Sequence, residues 1–342
     1  KLYAMYYPTN HKVWNNSIDY LRDAVYYYSL WNGDYPYDVC TAVDGAIAAG
    51  GGMEYPTITV IGNADDTTDL DLVIAHEVGH NWFYGILGSN ERASGWMDEG
   101  VNSFNEMRYM QLKYPHYNMT EMILPGKYAK KMFINHKESY RLAAQLTQQL
   151  SIHQKLSTHS EDFQSLNYGV DMYQRTAISL QYLQKYLGEE TFDKAMQTYF
   201  ERWKFKHPYP ADIRAVFEEV SGKNLAWFFE DMINTRKSVD YRLNTVRKKG
   251  DKIKVKVGNP GQIDGPKIVQ LIKDNKVAKE IILEPTENVA VFDASTPHDY
   301  VTLDHEKLSG DIYLNNNYGK IKSANSSTKS VGFLTSFDLN QH

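Results

Sequence analysis

Residues 75–100 read AHEVGHNWFYGILGSNERASGWMDEG. Within them His76, Glu77 and His80 form the pattern H-E-x-x-H, and Glu99 follows His80 after eighteen intervening residues. On an α-helix, side chains four residues apart sit one above the other, with Cβ atoms about 5–6 Å apart. Both imidazoles can therefore reach one ion from a single helix face, as tetrahedral zinc requires. Glu77 is turned from His76 by about 100° at 3.6 residues per turn, which keeps its carboxylate beside the ion without ligating it. Glu99, in W-M-D-E-G at the head of a second helical pattern, would supply an oxygen ligand.

Two nitrogens and one oxygen leave one corner of a tetrahedron open, the mark of a catalytic rather than a structural zinc site. Zinc draws the pKa of bound water towards neutrality, and Glu77 is placed to take the proton. The implied chemistry is hydrolysis at a carbonyl. An amphipathic helix whose histidines make ordinary hydrogen bonds would carry the same pentapeptide. Glu99 at its spacing, and the upstream Gly51-Gly52-Met53-Glu54-Tyr55, weigh against that plainer reading.

Composition bounds the partners. The chain has 342 residues, 42% hydrophobic and 23% charged, enough for two or three domains of an ordinary globular kind. A net charge of −5 argues against nucleic acid as the main partner. No apolar run approaches the length of a transmembrane helix. The single cysteine, Cys40, permits no internal disulfide and no thiolate metal site, and reads as a small buried residue. Its compartment is left open by this cysteine usage. The opening KLYAMYYPTNHKVW lacks a signal-peptide core, and it starts as if cut from a longer polypeptide. The reading leans towards an exported chain over a cytoplasmic one.

Taken in order, helical periodicity covers 13–31, and strands are expected over 35–42 and in MEYPTITVIG. The glycine-rich stretch Gly45–Gly52 is followed by no Lys-Ser/Thr pair, so it is no phosphate loop. Its glycines would let a peptide backbone approach. Thr67-Thr68-Asp69 offer N-caps for a helix over 69–87 that carries the motif. Gly79 inside it costs about 1 kcal/mol of helix propensity relative to Ala, which implies close packing there. A second helix is expected over 98–114, a helix-rich region over 116–170, and helices over 171–187, 190–206 and 210–236, with Trp227, Phe228 and Phe229 as core. Beyond Val239, KIKVKVG, KIVQLIKD, AKEIILE and NVAVFD read as strands of a small antiparallel sandwich whose alternating lysines face water. From Asn315 the composition is that of a linker, and VGFLTSFDL at the end reads as a further strand.

These residues resemble the aminopeptidase N family of zinc metallopeptidases, the gluzincins. The family's H-E-x-x-H, eighteen residues and Glu match His76, Glu77, His80 and Glu99, and HNWF and DEG stand where H-Q-W-F and N-E-G are usual. Its upstream G-x-M-E-N motif matches Gly51-Gly52-Met53-Glu54-Tyr55, with Tyr55 in place of Asn. The resemblance implies that Glu54 binds the free amino group of the substrate, whose backbone is expected to lie along MEYPTITV as an edge strand, with Gly51 and Gly52 allowing close approach and Met53 lining the path. It also implies a tyrosine that donates to the oxyanion. MYQRTAISLQYLQKYLG points to Tyr173 for that role, with Tyr168 competing and with Arg175 and Thr176 in place of the usual Lys and Gly. The implied fold is α+β, a thermolysin-like catalytic domain with a small mixed sheet and a mostly helical lobe over 1–237. A small antiparallel β-sandwich over 238–314 and a polar linker or truncated segment over 315–342 follow. The implied activity is zinc-dependent removal of N-terminal residues from peptides with a free N-terminus, using one zinc ion. A large N-terminal β domain normally precedes this unit in the family. A thermolysin-type endopeptidase and a non-catalytic peptide-binding module are the alternatives.

Overall fold

In the computed structural model, which describes residues 1–47, 51–120 and 132–320, four short apolar segments make the first sheet. They are β1 (Leu2–Met5), β2 (Cys40–Asp44), β3 (Gly52–Met53) and β4 (Ile58–Ile61), in the order β1-β2-β4-β3. β1, β2 and β4 are parallel and β3 runs antiparallel to β4, so the sheet is mixed with β3 at its edge. The strand expected over 35–42 starts only at Cys40, and MEYPTITVIG is two strands rather than one. A turn divides it. Thr57 sits at φ 66°, a left-handed conformation that opposes a continuous strand, and its N–H donates to the Asn81 side chain at 2.7 Å. Cys40 is buried, as its apolar surroundings required.

The helical layer begins with α1 (Ser17–Asn32), α2 (Thr67–Gly79) and α3 (Glu99–Lys113), which pack on one another. α1 turns Leu21, Ala24, Tyr28 and Trp31 inward, and α2 turns Leu70, Ile74, Ala75 and Val78 inward, each at helical spacing. The cap of α2 is Asp66, one residue before the expected candidates, whose carboxylate accepts from the Thr68 and Asp69 amides. α2 also stops at Gly79 instead of reaching 87. The Asn81 side chain takes over the Val78 carbonyl, Trp82 Nε1 donates to Gly33 O at 2.7 Å, and Tyr84 has φ 99°. These side-chain bonds and the buried Trp82 and Phe83 outweigh continued helix.

Gly79 earns its place by packing. Asn102 on α3 donates to His76 O at 2.7 Å and accepts from Tyr28 Oη on α1 at 3.0 Å, tying the three helices together. A Cβ on Gly79 would overlap both Asn102 Oδ1 and the Tyr28 ring. Gly79→Ala is therefore expected to destabilise the fold by about 1–3 kcal/mol through overpacking, despite the better helix propensity of alanine. Urea unfolding checks this, and an unchanged midpoint would contradict it.

Among the described residues four longer helices follow: α4 (His136–Gln149), α5 (Thr176–Leu187), α6 (Glu189–Trp203) and α7 (Pro210–Ser221). The helix expected over 171–187 starts earlier, as a π-helical stretch Tyr168–Arg175 that runs into α5. The one expected over 210–236 is split at Gly222, a left-handed cap with φ 65°, before a second π-helical stretch Trp227–Ile233. Trp227, Phe228 and Phe229 lie in the core.

Seven strands complete the described fold in two antiparallel sheets. One is ordered β5-β6-β9 and the other β11-β10-β7-β8, from β5 (Arg242–Lys249), β6 (Lys252–Gly258), β7 (Lys267–Lys273), β8 (Lys276–Leu283), β9 (Val289–Asp293), β10 (Tyr300–Leu303) and β11 (Tyr318–Gly319). On β6, Ile253, Val255 and Val257 are buried and Lys252, Lys254 and Lys256 face water. β5 and β10 were not expected from the sequence. β11 falls within the expected linker and adds to the edge of β10; the remainder of that linker and VGFLTSFDL lie outside the described residues. This sandwich is seated on the helices through Tyr182 Oη donating to Pro266 O and Gln145 Nε2 donating to Ile312 O at 3.0 Å. The architecture is α+β, with the H-E-x-x-H helix between the mixed sheet and α3.

Candidate active site

α2 and α3 deliver three side chains to one point. His76 projects from the last turn of α2, His80 from the cap residue just after it, and Glu99 from the first residue of α3. His76 Nε2 and His80 Nε2 are 3.2 Å apart, and Glu99 Oε2 lies 3.3 and 3.2 Å from them. The opposite nitrogen of each ring faces a carboxylate, His76 Nδ1 at 2.8 Å from Glu106 Oε2 and His80 Nδ1 at 2.7 Å from Asp98 Oδ1. An ionised carboxylate only accepts, so each Nδ1 donates and each neutral ring turns the lone pair of Nε2 inward. Asp98 occupies the cap position of α3 without capping it, because its oxygen is committed to His80.

Three inward lone pairs about 3 Å apart, with Glu99 Oε2 buried and without a hydrogen-bond partner, make a socket for positive charge. Burial pushes the His76 imidazole down, yet Glu106 and Glu99 outweigh it and carry it up to about 10. Burial pushes Glu99 up, and the two histidines more than reverse this, leaving it well below the usual carboxylate range. Burial likewise raises Glu106, but His136 and His76 bring it down to about 2. Protons can fill this socket only by occupying the inward nitrogens. A divalent cation fills it with both rings neutral, and two imidazoles with one carboxylate are the donor set that suits zinc with an open position. The residues present fit such an ion.

Around the socket stand the other residues singled out by the sequence. Glu77 is buried, with Oε2 lacking a partner, and burial pushes its carboxyl up to about 7 against the pull of His76 and His80. Gly52 on β3 comes so close that a Cβ there would strike Glu77. Gly51 precedes it at φ 69°, Met53 is 38% exposed beside it, and Glu54 is half-buried and close enough to push Glu77 further up. Tyr173 stacks on His76 with ring centroids 6.0 Å apart and lies close enough to Glu99 for that carboxylate to act on its hydroxyl. Its hydroxyl is pushed well above the usual tyrosine range by burial and then by Glu99, so it remains a donor. Tyr168, 39% exposed, lies with its ring 5.8 Å from that of Tyr173. The π-helical winding puts both on one side, and it is pinned by the buried pair of Arg175 and Asp171 at 2.9 Å and by Thr176 packed on Gly100.

Sequence reasoning passed over Glu106, His136, Tyr140, Asn81 and Asn102. Glu106 is seven residues beyond Glu99 on α3, hence on its face, and that spacing was a usable signal. His136 and Tyr140, which bond Glu106 from α4, carry none.

Residues 24–232 match the peptidase family M1 domain. Among relatives, the chain is 25% identical over 183 residues to aminopeptidase M1-C of Oryza sativa subsp. japonica, covering 53% of this chain and 19% of that protein. It is 24% identical over 168 residues to aminopeptidase N of Lactococcus lactis subsp. lactis, covering 49% and 19%. Among solved structures, Legionella pneumophila aminopeptidase A in complex with aspartic acid superposes with a TM-score of 0.63 at 14% identity, covering 94% of this chain and 36% of that one. The matched region thus spans about a fifth of the length of these curated relatives. No helix among the described residues is long and apolar enough to cross a membrane. With the match extending over most of the helical layer and through the H-E-x-x-H helix, the chain belongs to peptidase family M1, a family of metallopeptidases.

Proposed function

We propose that this chain removes the N-terminal residue from peptides, with one zinc ion held by His76, His80 and Glu99. The observation that supports this most is the contact of Gly52 with Glu77, which sets the edge strand, and Glu54 just after it, beside the base. When bound, the ion supplies Lewis-acid polarisation of a carbonyl and acidification of water. Glu77 takes the proton of the attacking water and returns it to the departing amine. Tyr173 donates its O–H to the oxygen on which negative charge develops; its stacking on His76 favours it over the more exposed Tyr168. The substrate backbone runs along Gly51, Gly52 and Met53, using the outer side of β3. Glu54 pairs with the terminal ammonium and thereby selects the first peptide bond. In this reading 1–237 form the catalytic unit and 238–314 a sandwich domain.

The amine anchor is what separates this activity from that of an endopeptidase. Glu54→Gln is expected to lower kcat/KM on an aminoacyl-coumarin by about 30-fold, the equivalent of about 2 kcal/mol for a charge pair deprived of one partner. N-acetylated peptides are expected to resist the unmodified protein. Their cleavage at the rate of free peptides would replace this reading with an endopeptidase. Bound zinc without any turnover would replace it with a peptide-binding module.

A further inference from the structure

We infer that His136, assisted by Tyr140, is a positioning residue for the metal centre, acting through Glu106 on His76; this rests on the zinc reading above. Glu106 is 5% exposed and its two oxygens are divided between two helices. Oε2 accepts from His76 Nδ1 on α2 at 2.8 Å. Oε1 accepts from His136 Nε2 at 2.6 Å and from Tyr140 Oη at 2.9 Å, both on the first turns of α4. A carboxylate offers no proton, so all three partners donate, and a neutral His76 keeps its proton on Nδ1 and its lone pair on Nε2.

The terminal torsion of a glutamate is soft and broad. Glu106 cannot hold the His76 ring by itself; it needs Oε1 anchored for Oε2 to stay aimed. His136 and Tyr140 supply that anchor, and they are themselves locked. They are four residues apart on α4, their rings lie 4.4 Å apart, and Asn135 caps the helix by accepting from the Glu138 amide. The choice of histidine is telling. His136 is 5% exposed and its Nδ1 is buried without a partner, an arrangement that costs stability because the unsatisfied group has given up its water. Packing alone would be better served by an apolar side chain. The ring is held there by its Nε2–H.

The test compares His136→Leu and His136→Gln in the whole chain, measuring zinc affinity by competition with a chromophoric chelator and thermal unfolding of the metal-free protein. His136→Leu is expected to weaken zinc binding about tenfold, the lower end of what outer partners of a ligand histidine contribute. His136→Gln, whose amide N–H can reach Glu106, is expected to recover affinity to within about threefold of the unmodified chain. Both lose the imidazole, so a purely structural role would lower both alike. Zinc binding by His136→Leu as tight as in the unmodified chain, or equal losses in both variants, overturns the proposal while leaving the metal reading intact. Absence of zinc binding by the unmodified chain overturns the metal reading first. Should His136→Leu fail to fold, Tyr140→Phe carries the test: removal of one hydrogen bond is expected to weaken zinc about threefold, and unchanged affinity overturns the proposal.

Discussion

Glu77→Gln is expected to retain one zinc ion and to lose peptide turnover by about 10³-fold, within the range that general base catalysis supplies. The two side chains have the same shape, and the ligand nitrogens and Glu99 are untouched by the change. What disappears is the only carboxylate that is both next to the ligands in sequence and not committed to a partner through Oε2. Asp98 and Glu106 cannot replace it, since each is bonded to the Nδ1 of a ligand histidine on the side away from the inward nitrogens. Glu54 immediately follows the edge strand and is assigned to the ammonium. Metal analysis by mass spectrometry and kcat on an aminoacyl-coumarin give the two readouts. Turnover within tenfold of the unmodified chain would move the base to another residue, and loss of zinc would show that Glu77 holds the site together instead of acting in it.

The residues proposed as metal ligands were legible largely because the geometry of the two histidines is local. Two histidines one helical turn apart need only the helix itself to face one point, and Glu99 is announced by its spacing and its place at the head of the next helix. The strand-helix order and the sandwich were legible from periodicity, down to the lysines of β6 facing water. Legibility ended where side chains decide the backbone. α2 stops at Gly79 because Asn81 bonds Val78 O and the Thr57 amide at once, a link of β4's approach to the end of α2 that no pattern announces. The π-helical winding of Tyr168–Arg175 depends on Asp171, Arg175 and the packing of Thr176 on Gly100, contacts between distant segments. β5 was passed over because RLNTVRKK puts its charges outward and buries little beyond Val246; pairing with β6 makes it a strand. The same limit separates Glu106, readable from its place on α3, from His136, which reaches it only through the tertiary fold.

Gly52→Ala is expected to cut kcat by about 100-fold with zinc content unchanged, the scale of loss from misplacing a catalytic group by about 1 Å. Gly52 is paired with Ile61 on β4, so β3 cannot simply move outward. A methyl group there meets Glu77 at Cγ, Cδ and Oε1, the middle of the side chain as well as its end. Glu77 cannot evade it by turning the carboxylate alone; the whole side chain must leave its position above α2, whose backbone is fixed by packing against α1 and α3. The ligands project from other directions and keep their partners, which is why zinc is expected to stay. The decisive measurement is the double variant Gly52→Ala with Glu77→Gln. If the glycine acts by leaving room for the base, its loss adds little once the base is gone, and the two effects on kcat are far from additive. Additive losses would place the role of Gly52 in the substrate path along β3, separate from Glu77.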